Sequence, residues 1–389
     1  MNKTIYCIGL IILLVSCKSK TETEIMPILS IDNYSDTRSA TQSTTFRFYV
    51  NVSPVSAKNI TVQYKTNELT ATANKDFAPI TGTLSIPANS KEAYIEVIVS
   101  KDSLIQADQT FEVELSLPTN AVLAPLAKAI GTIHNNGTYL PIDATGYVAA
   151  NSYAGMSLAW SDEFNGKTIN TAYWTHETGG GGWGNNELQN YTNSTNNSFM
   201  SSGCLVLEAR RETVGNNNYT SARIISKDKK TFTYGRVDIR AKLPKGQGIW
   251  PALWMLGNNI STNWWPACGE IDIMELLGHQ PNKTYATIHW GNAGGGSTHI
   301  GNNYSLSTES FNDKFHVFSM KWEVDKMMFY VDDVLIFTAQ KSQVTGNYPF
   351  DKPFFFIMNI AVGGNWPGNP DGNTTFPQRM MVDYVRVYQ

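Results

Sequence analysis

From residue 28 onward, apolar and polar positions alternate in short runs. FRFYVNV, ITVQYKT, GTLSIPA, AYIEVIVS and FEVELSL fill the stretch to residue 117; each sets apolar side chains two apart, the period of a strand with one buried face. Turn residues separate these runs and no helical period intervenes, so residues 28–137 are expected to form a small β-sandwich. Residues 138–155 lack a sustained pattern, contain Pro141 and Gly146, and read as a linker. Strand runs then resume with CLVLEARR, SARIISK, YGRVDIRAKL, ATIHW, FHVFSMKWEV, KMMFYVDDVLIFT, PFFFIMNIAV and MVDYVRVYQ. Residues 156–389 are sufficient for one large sandwich, its inner faces packed or lining a cleft. The expected fold class is all-β.

One run breaks the alternation. GEIDIMEL places Glu270, Asp272 and Glu275 among Ile271, Ile273 and Met274. In a regular strand Glu270 and Asp272 share a face and Glu275 points away. A helix does no better, since at about 100° per residue Glu275 lies about 140° from Glu270 and Asp272 about 200° from it. A β-bulge absorbing Met274 returns Glu275 to the face of the other two. The outer pair would then stand roughly 13 Å apart at the backbone, and two long side chains leaning inward could approach the separation of about 5–5.5 Å used by retaining glycosidases.

Composition narrows the setting. Charged residues make up 16% of the 389 positions and the net charge is −3, so no basic stripe points to nucleic acid. The N-terminus, MNKTIYCIGLIILLVSCKSK, has one early cation, Lys3, and an apolar run from Ile5 to Val15. That run is too short for a mature membrane span and reads as a signal peptide over 1–16. Leu14-Val15-Ser16-Cys17 resembles a bacterial lipoprotein box, which implies lipidation at Cys17, a tether over 17–27 and an exported protein anchored in the envelope; the alternative is an ordinary signal peptide with an incidental cysteine. Cys7 would leave with the signal, and whether Cys204 and Cys268 pair stays open.

Between Gly246 and Asn282 there is no lysine or arginine, so the three acids lack local neutralising partners. Burial and like charge both raise a carboxyl pKa, and one protonated acid beside one carboxylate is what glycoside hydrolysis requires. A bare E-x-D-x-x-E match also fits a solvated edge strand or a divalent-cation site. The surroundings favour a saccharide cleft: Trp250, Trp254, Trp264 and Trp265 precede the acids, and GGGGWG sets Trp183 in a flexible glycine loop. Aromatic faces stack on sugar C–H faces, while Asn and Gln read hydroxyls.

WSDEFNG, HETGGGGWGNNELQNYT, YGRVDIRAKLPKGQGIWPALWML, WPACGEIDIMELLGH, AVGGNWPGNPD and MVDYVRVYQ together resemble glycoside hydrolase family 16, in its laminarinase (endo-1,3-β-glucanase) branch, over 156–389. The resemblance implies a jelly-roll sandwich with the glycan on a concave face and a retaining double displacement. Glu270 corresponds to the nucleophile, Glu275 to the acid/base and Asp272 to the residue tuning both. Trp183, Asn185, Arg223, Trp250, Trp254, Trp265, His289 and Trp366 are the implied substrate-binding positions. No cofactor is expected for catalysis; Glu163, Gly203 and Asp383 fall in stretches that hold a structural calcium in the family. The segment HWGNAGGGSTHIGNNYSL and Asn190 depart from the laminarinase pattern, which leaves open mixed-linkage glucan, an agarase- or carrageenase-type galactan, or glycan binding without catalysis. The partner expected is a β-glucan, acted on by a monomer.

The segment running through DFAPITGTLSIPANSKEAYIEVIVSKD, QTFEVELSLP and AIGTIHNNG resembles a Calx-beta domain. Its calcium acids are thinned: His134-Asn135-Asn136 replace the terminal cluster, Ser103 and Ala107 interrupt the loop, and Asp102 and Asp108 remain. A metal-free spacer or adhesion module is the expectation.

Overall fold

A computed structural model describes residues 25–102, 106–135, 139–292 and 295–389. The signal peptide, Cys7, Cys17, Ser103 and Asn136 lie outside them. The chain divides into two compact units, one built from residues up to 36, 45–99 and 109–132 and the other from residues 37–44, 100–108 and 133–389.

The first unit pairs two sheets. One holds four strands in the order Glu92–Val99, Thr44–Ser53, Ile28–Ile31, Val122–Leu123; the other runs Tyr34–Thr37, Lys128–His134, Gln109–Thr119, Ile60–Glu68, Thr81–Ile86. The period of two is visible in Glu92–Val99, where Ile95, Val97 and Val99 are buried between exposed neighbours. Phe46, Phe48, Phe77 and Phe111 are fully buried, and Phe77 stacks on Phe111 at 4.6 Å. Each such ring contributes about 1.5–3 kcal/mol on leaving water. Gly131 is required by this packing, because a Cβ there would stand 2.5 Å from the Phe111 ring. Asp102 accepts from Arg38 and Gln106 at 3.1 and 2.9 Å, and Asp108 pairs with His134 Nδ1 at 2.6 Å.

The second unit is a two-sheet β-sandwich. One sheet orders Ser198–Ser201, Cys204–Ala209, Gln378–Tyr388, Gly235–Lys242, His316–Trp322, Lys326–Val331 and Val334–Gln340, with Leu158–Asp162 added on Gln378–Tyr388. The facing sheet orders Thr175–Glu177, Arg223–Ile225, Phe354–Val362, Ile249–Gly257, Glu270–Leu276, Lys283–Gly291 and Ser297–Ser305, with Thr231–Phe232 added on Phe354–Val362. The core lies between them and includes Leu253, Met255, Ile271, Ile288, Trp290, Val237, Phe318 and Val385. In Lys283–Gly291 the alternation is unbroken: Thr284, Ala286, Ile288 and Trp290 are buried, while Lys283, Tyr285, Thr287 and His289 face outward. Cys204 and Cys268 are both buried as free thiols.

Candidate active site

The acid row is built by a defect in the strand that carries it. Along Ile249–Gly257, Leu256, Trp254, Leu253 and Ala252 pair with Glu270, Asp272, Met274 and Glu275, and the register shifts so that Ile273 has no partner. On the other side Glu270, Asp272 and Glu275 pair with His289, Thr287 and Tyr285, with a shift between Asp272 and Glu275. Ile273 and Met274 thus both enter the core, two consecutive inward side chains where a regular strand allows one. Glu270, Asp272 and Glu275 consequently line one cleft of about 880 Å³ on the outer face of this sheet. The bulge sits where the spacing of the acids demanded it.

Each outer acid has a fixed partner. Trp265 donates its indole N–H to Glu270 Oε2 at 2.8 Å, and Trp250 donates to Glu275 Oε1 at 3.0 Å. Asp272 lies between, only 2% exposed. His289 Nε2 stands 3.3 Å from Asp272 Oδ2 and 3.9 Å from Glu270 Oε1. One ligand atom from each of these three residues lies within 4.8 Å of the others, a spacing that a divalent cation could also use.

Burial is the main cause of pKa shifts in all three acids. It pushes Glu270 up to about 8, assisted by the Asp272 charge and opposed by His289 and the Trp265 N–H. Asp272 rises for the same reason. Glu275 is held well above the ordinary glutamate range, with the charges of Asp272 and Glu270 adding to burial. Burial and mutual repulsion therefore raise all three acids and disfavour a row in which every carboxyl is ionised at once.

All eight expected substrate residues border the same cleft. Trp366 packs edge-on against Trp250 at 5.5 Å and Tyr285 at 4.9 Å. At the opposite wall, the Arg223 guanidinium sits 4.9 Å from both the Trp183 and Trp254 rings and binds Glu177 at 2.5 Å. The Trp183 loop is not the free segment its glycines suggested. Left-handed backbone at Gly182, Trp183 and Gly184 turns the ring inward, where its N–H reaches the Gly179 carbonyl at 3.0 Å and its face meets Tyr191 at 5.1 Å. Trp264, by contrast, is 70% exposed and does not border the cleft.

Sequence reasoning missed several lining residues, among them Glu187, Tyr285, Thr287, His299 and Asn359. Asn359 left a signal, a lone amide inside the fully buried run FFFIMNIAV. Its Oδ1 accepts the Trp254 N–H at 2.7 Å.

The expected calcium positions fit that ion poorly. Glu163 is forked onto Arg386, with Nε and Nη2 both at 2.8 Å, and Asp383 accepts from Arg240 at 2.8 Å. Both carboxylates are thus engaged by guanidinium groups, which leaves few side-chain oxygens here for the roughly six to eight that calcium takes.

The family model described as glycosyl hydrolases family 16 matches residues 185–386, and that of the Calx-beta domain matches residues 31–137. Glucan endo-1,3-beta-glucosidase A1 of Niallia circulans is 42% identical over 260 residues, covering 61% of this chain and 38% of that protein. The beta-glucanase of Rhodothermus marinus is 39% identical over 250 residues, 60% of this chain and 85% of its own. Among solved structures, the laminarinase catalytic domain of Thermotoga maritima MSB8 is 47% identical, with a TM-score of 0.56, over 60% of this chain and 98% of its own.

Proposed function

Because the chain belongs to glycosyl hydrolases family 16, we propose that it is a retaining, endo-acting hydrolase of β-1,3-glucan, with Glu270 as nucleophile and Glu275 as acid/base. The observation that carries this reading is the bulge-aligned row, which sets Glu270 and Glu275 on the cleft face with Asp272 between them. A glycan strand laid across the row meets Glu275 on the leaving oxygen and Glu270 beneath the anomeric carbon. Trp265 occupies Glu270 Oε2, so Oε1 attacks as Glu275 protonates the departing oxygen. The glycosyl ester on Glu270 is then opened by a water whose proton passes to Glu275, and two inversions leave the β-configuration unchanged. Similarity to the endo-1,3-beta-glucosidase of Niallia circulans and the Thermotoga maritima laminarinase supports a 1,3-linked glucan. Anchoring through Cys17 belongs to the same proposal and rests on the sequence alone.

The purified chain is expected to release reducing ends from laminarin faster than from mixed-linkage glucan or agarose, and NMR should show the β-anomer first. Tight binding to these polymers with no cleavage of any would reduce the protein to a glycan binder, and an initial α-anomer would exclude retention.

Asp272 provides a separate check on the electrostatics. Its negative charge raises both Glu270 and Glu275, so Asp272→Asn should lower both. The bell of kcat/KM against pH should therefore move to lower pH on its acidic and basic limbs together; limbs that stay in place would remove Asp272 from this role.

A further inference from the structure

Glu187 is a carboxylate with no part in the double displacement, yet it is 8% exposed and borders the cleft. Only donors surround it. Asn185 Nδ2 lies 3.2 Å from Oε1, while Gln189 Nε2 and the Tyr191 hydroxyl lie 2.6 and 3.3 Å from Oε2. Burial raises its pKa and these donors oppose the rise, with the Arg223 charge helping them.

The donors continue outward in one direction. The Tyr191 hydroxyl, having given its proton to Glu187, accepts from Asn359 Nδ2 at 3.0 Å. Asn359 Oδ1 in turn accepts the Trp254 indole N–H at 2.7 Å. Every hydrogen bond from Trp254 inward therefore points its proton toward Glu187, which terminates the chain as a pure acceptor. On its other oxygen Glu187 holds the amide nitrogen of Asn185, so the Asn185 carbonyl oxygen is the end left to meet a ligand. Asn185 is braced separately through its own backbone, which donates to Gly182 and accepts from Asn365, both at 2.8 Å.

We propose that Glu187 is a positioning residue for glycan binding: one carboxylate orients Asn185 as an acceptor for a sugar hydroxyl and, through Tyr191 and Asn359, fixes the Trp254 ring as a stacking face. The inference rests on the cleft being the glycan site. Glu187 touches no reacting atom, so its contribution is made equally in ground state and transition state. Its loss should appear in KM, with kcat nearly unchanged.

Glutamine is the informative replacement, because its volume is similar and its chemistry is not. A side-chain NH₂ at position 187 confronts either Asn185 or the pair Gln189 and Tyr191, so one arm of the network loses its acceptor. Glu187→Gln is expected to raise KM for laminari-oligosaccharides about tenfold, the scale of one charge-assisted hydrogen bond, with kcat changed less than about threefold. Tyr191→Phe removes only the relay hydroxyl. It should give a smaller rise in KM, and the double variant should be less than additive, since both changes cut the same chain.

Oligosaccharide binding to the full chain by calorimetry, in an otherwise inactive Glu270→Ser background, separates the possible failures. No binding before Glu187 is altered would sink the glycan-cleft reading itself. Binding that survives Glu187→Gln at full strength, or a loss confined to melting temperature with KM intact, would overturn the positioning role. Full additivity of the two changes would overturn the relay, and Tyr191→Phe keeps the question answerable should Glu187→Gln fail to fold.

Discussion

Glu270→Ser is expected to lower turnover of laminarin by at least about 10⁴-fold, within the range seen when a covalent nucleophile is removed from a working site. The shorter serine side chain at this position does not reach the anomeric carbon. Oligosaccharide binding should persist, because Trp183, Trp250, Trp254 and Trp366 define the cleft without help from the missing carboxylate. The fold should persist too, and the sign of the stability change can be worked out. Glu270 ionises in the folded protein only near pH 8, against an ordinary value of 4.5. Such a group opposes folding progressively as pH rises from about 4.5 through about 8, because the unfolded chain releases the proton first. Removing it lifts that burden. The variant should therefore melt at or above the parent temperature at pH 8, with the advantage vanishing near pH 4. Thermal unfolding at the two pH values, beside reducing-end assays, tests both halves; near-normal turnover would remove Glu270 as nucleophile.

Glu275→Gln should lower laminarin turnover by about 10²–10⁴-fold, the usual contribution of general acid–base catalysis. The loss should depend on the leaving group. An aryl β-glucoside oligomer with a good leaving group needs no proton to depart, so its first step should survive, giving a burst of phenol followed by a slow phase in which water lacks a base. Azide needs no deprotonation, and its addition should restore turnover with a β-glycosyl azide as product. The basic limb of the pH profile should vanish as well, since that limb reports the acid form of Glu275. A variant that azide does not rescue, or one that yields an α-azide, would reassign Glu275.

Much of this site was legible along the chain because the controlling signals are local. Period-two alternation fixes which residues of Lys283–Gly291 face the cleft, and the spacing of the three acids alone locates the bulge. The aromatic segments were readable as well, since tryptophans beside unpaired acids have few other uses. What escaped depends on partners far apart in sequence. Asn359 supports Trp254 from 105 positions away; Glu187 is the exception, held by its near neighbours Asn185, Gln189 and Tyr191, and it escaped because no period marks the turn that converges them. The ion pairs at Glu163 and Asp383 escaped for the same reason as Asn359: Arg386 and Arg240 reach these carboxylates from elsewhere in the chain, and no local pattern announces an ion pair of that kind.

The bulge also changes what kinds of mutation this strand can survive. Ile273 and Met274 store a phase shift, so the position of Glu275 depends on how many residues precede it as much as on which ones. Most substitutions in the segment perturb packing or charge by degrees. Loss of one of these two residues acts differently, because it removes the need for the bulge, lets regular alternation keep all three carboxylates on the cleft face and leaves the core one apolar side chain short. The bulge is thus a consequence of chain length between Asp272 and Glu275: one residue fewer reaches the same face by plain alternation, and what the extra residue adds is a second apolar anchor in the core beneath the acids.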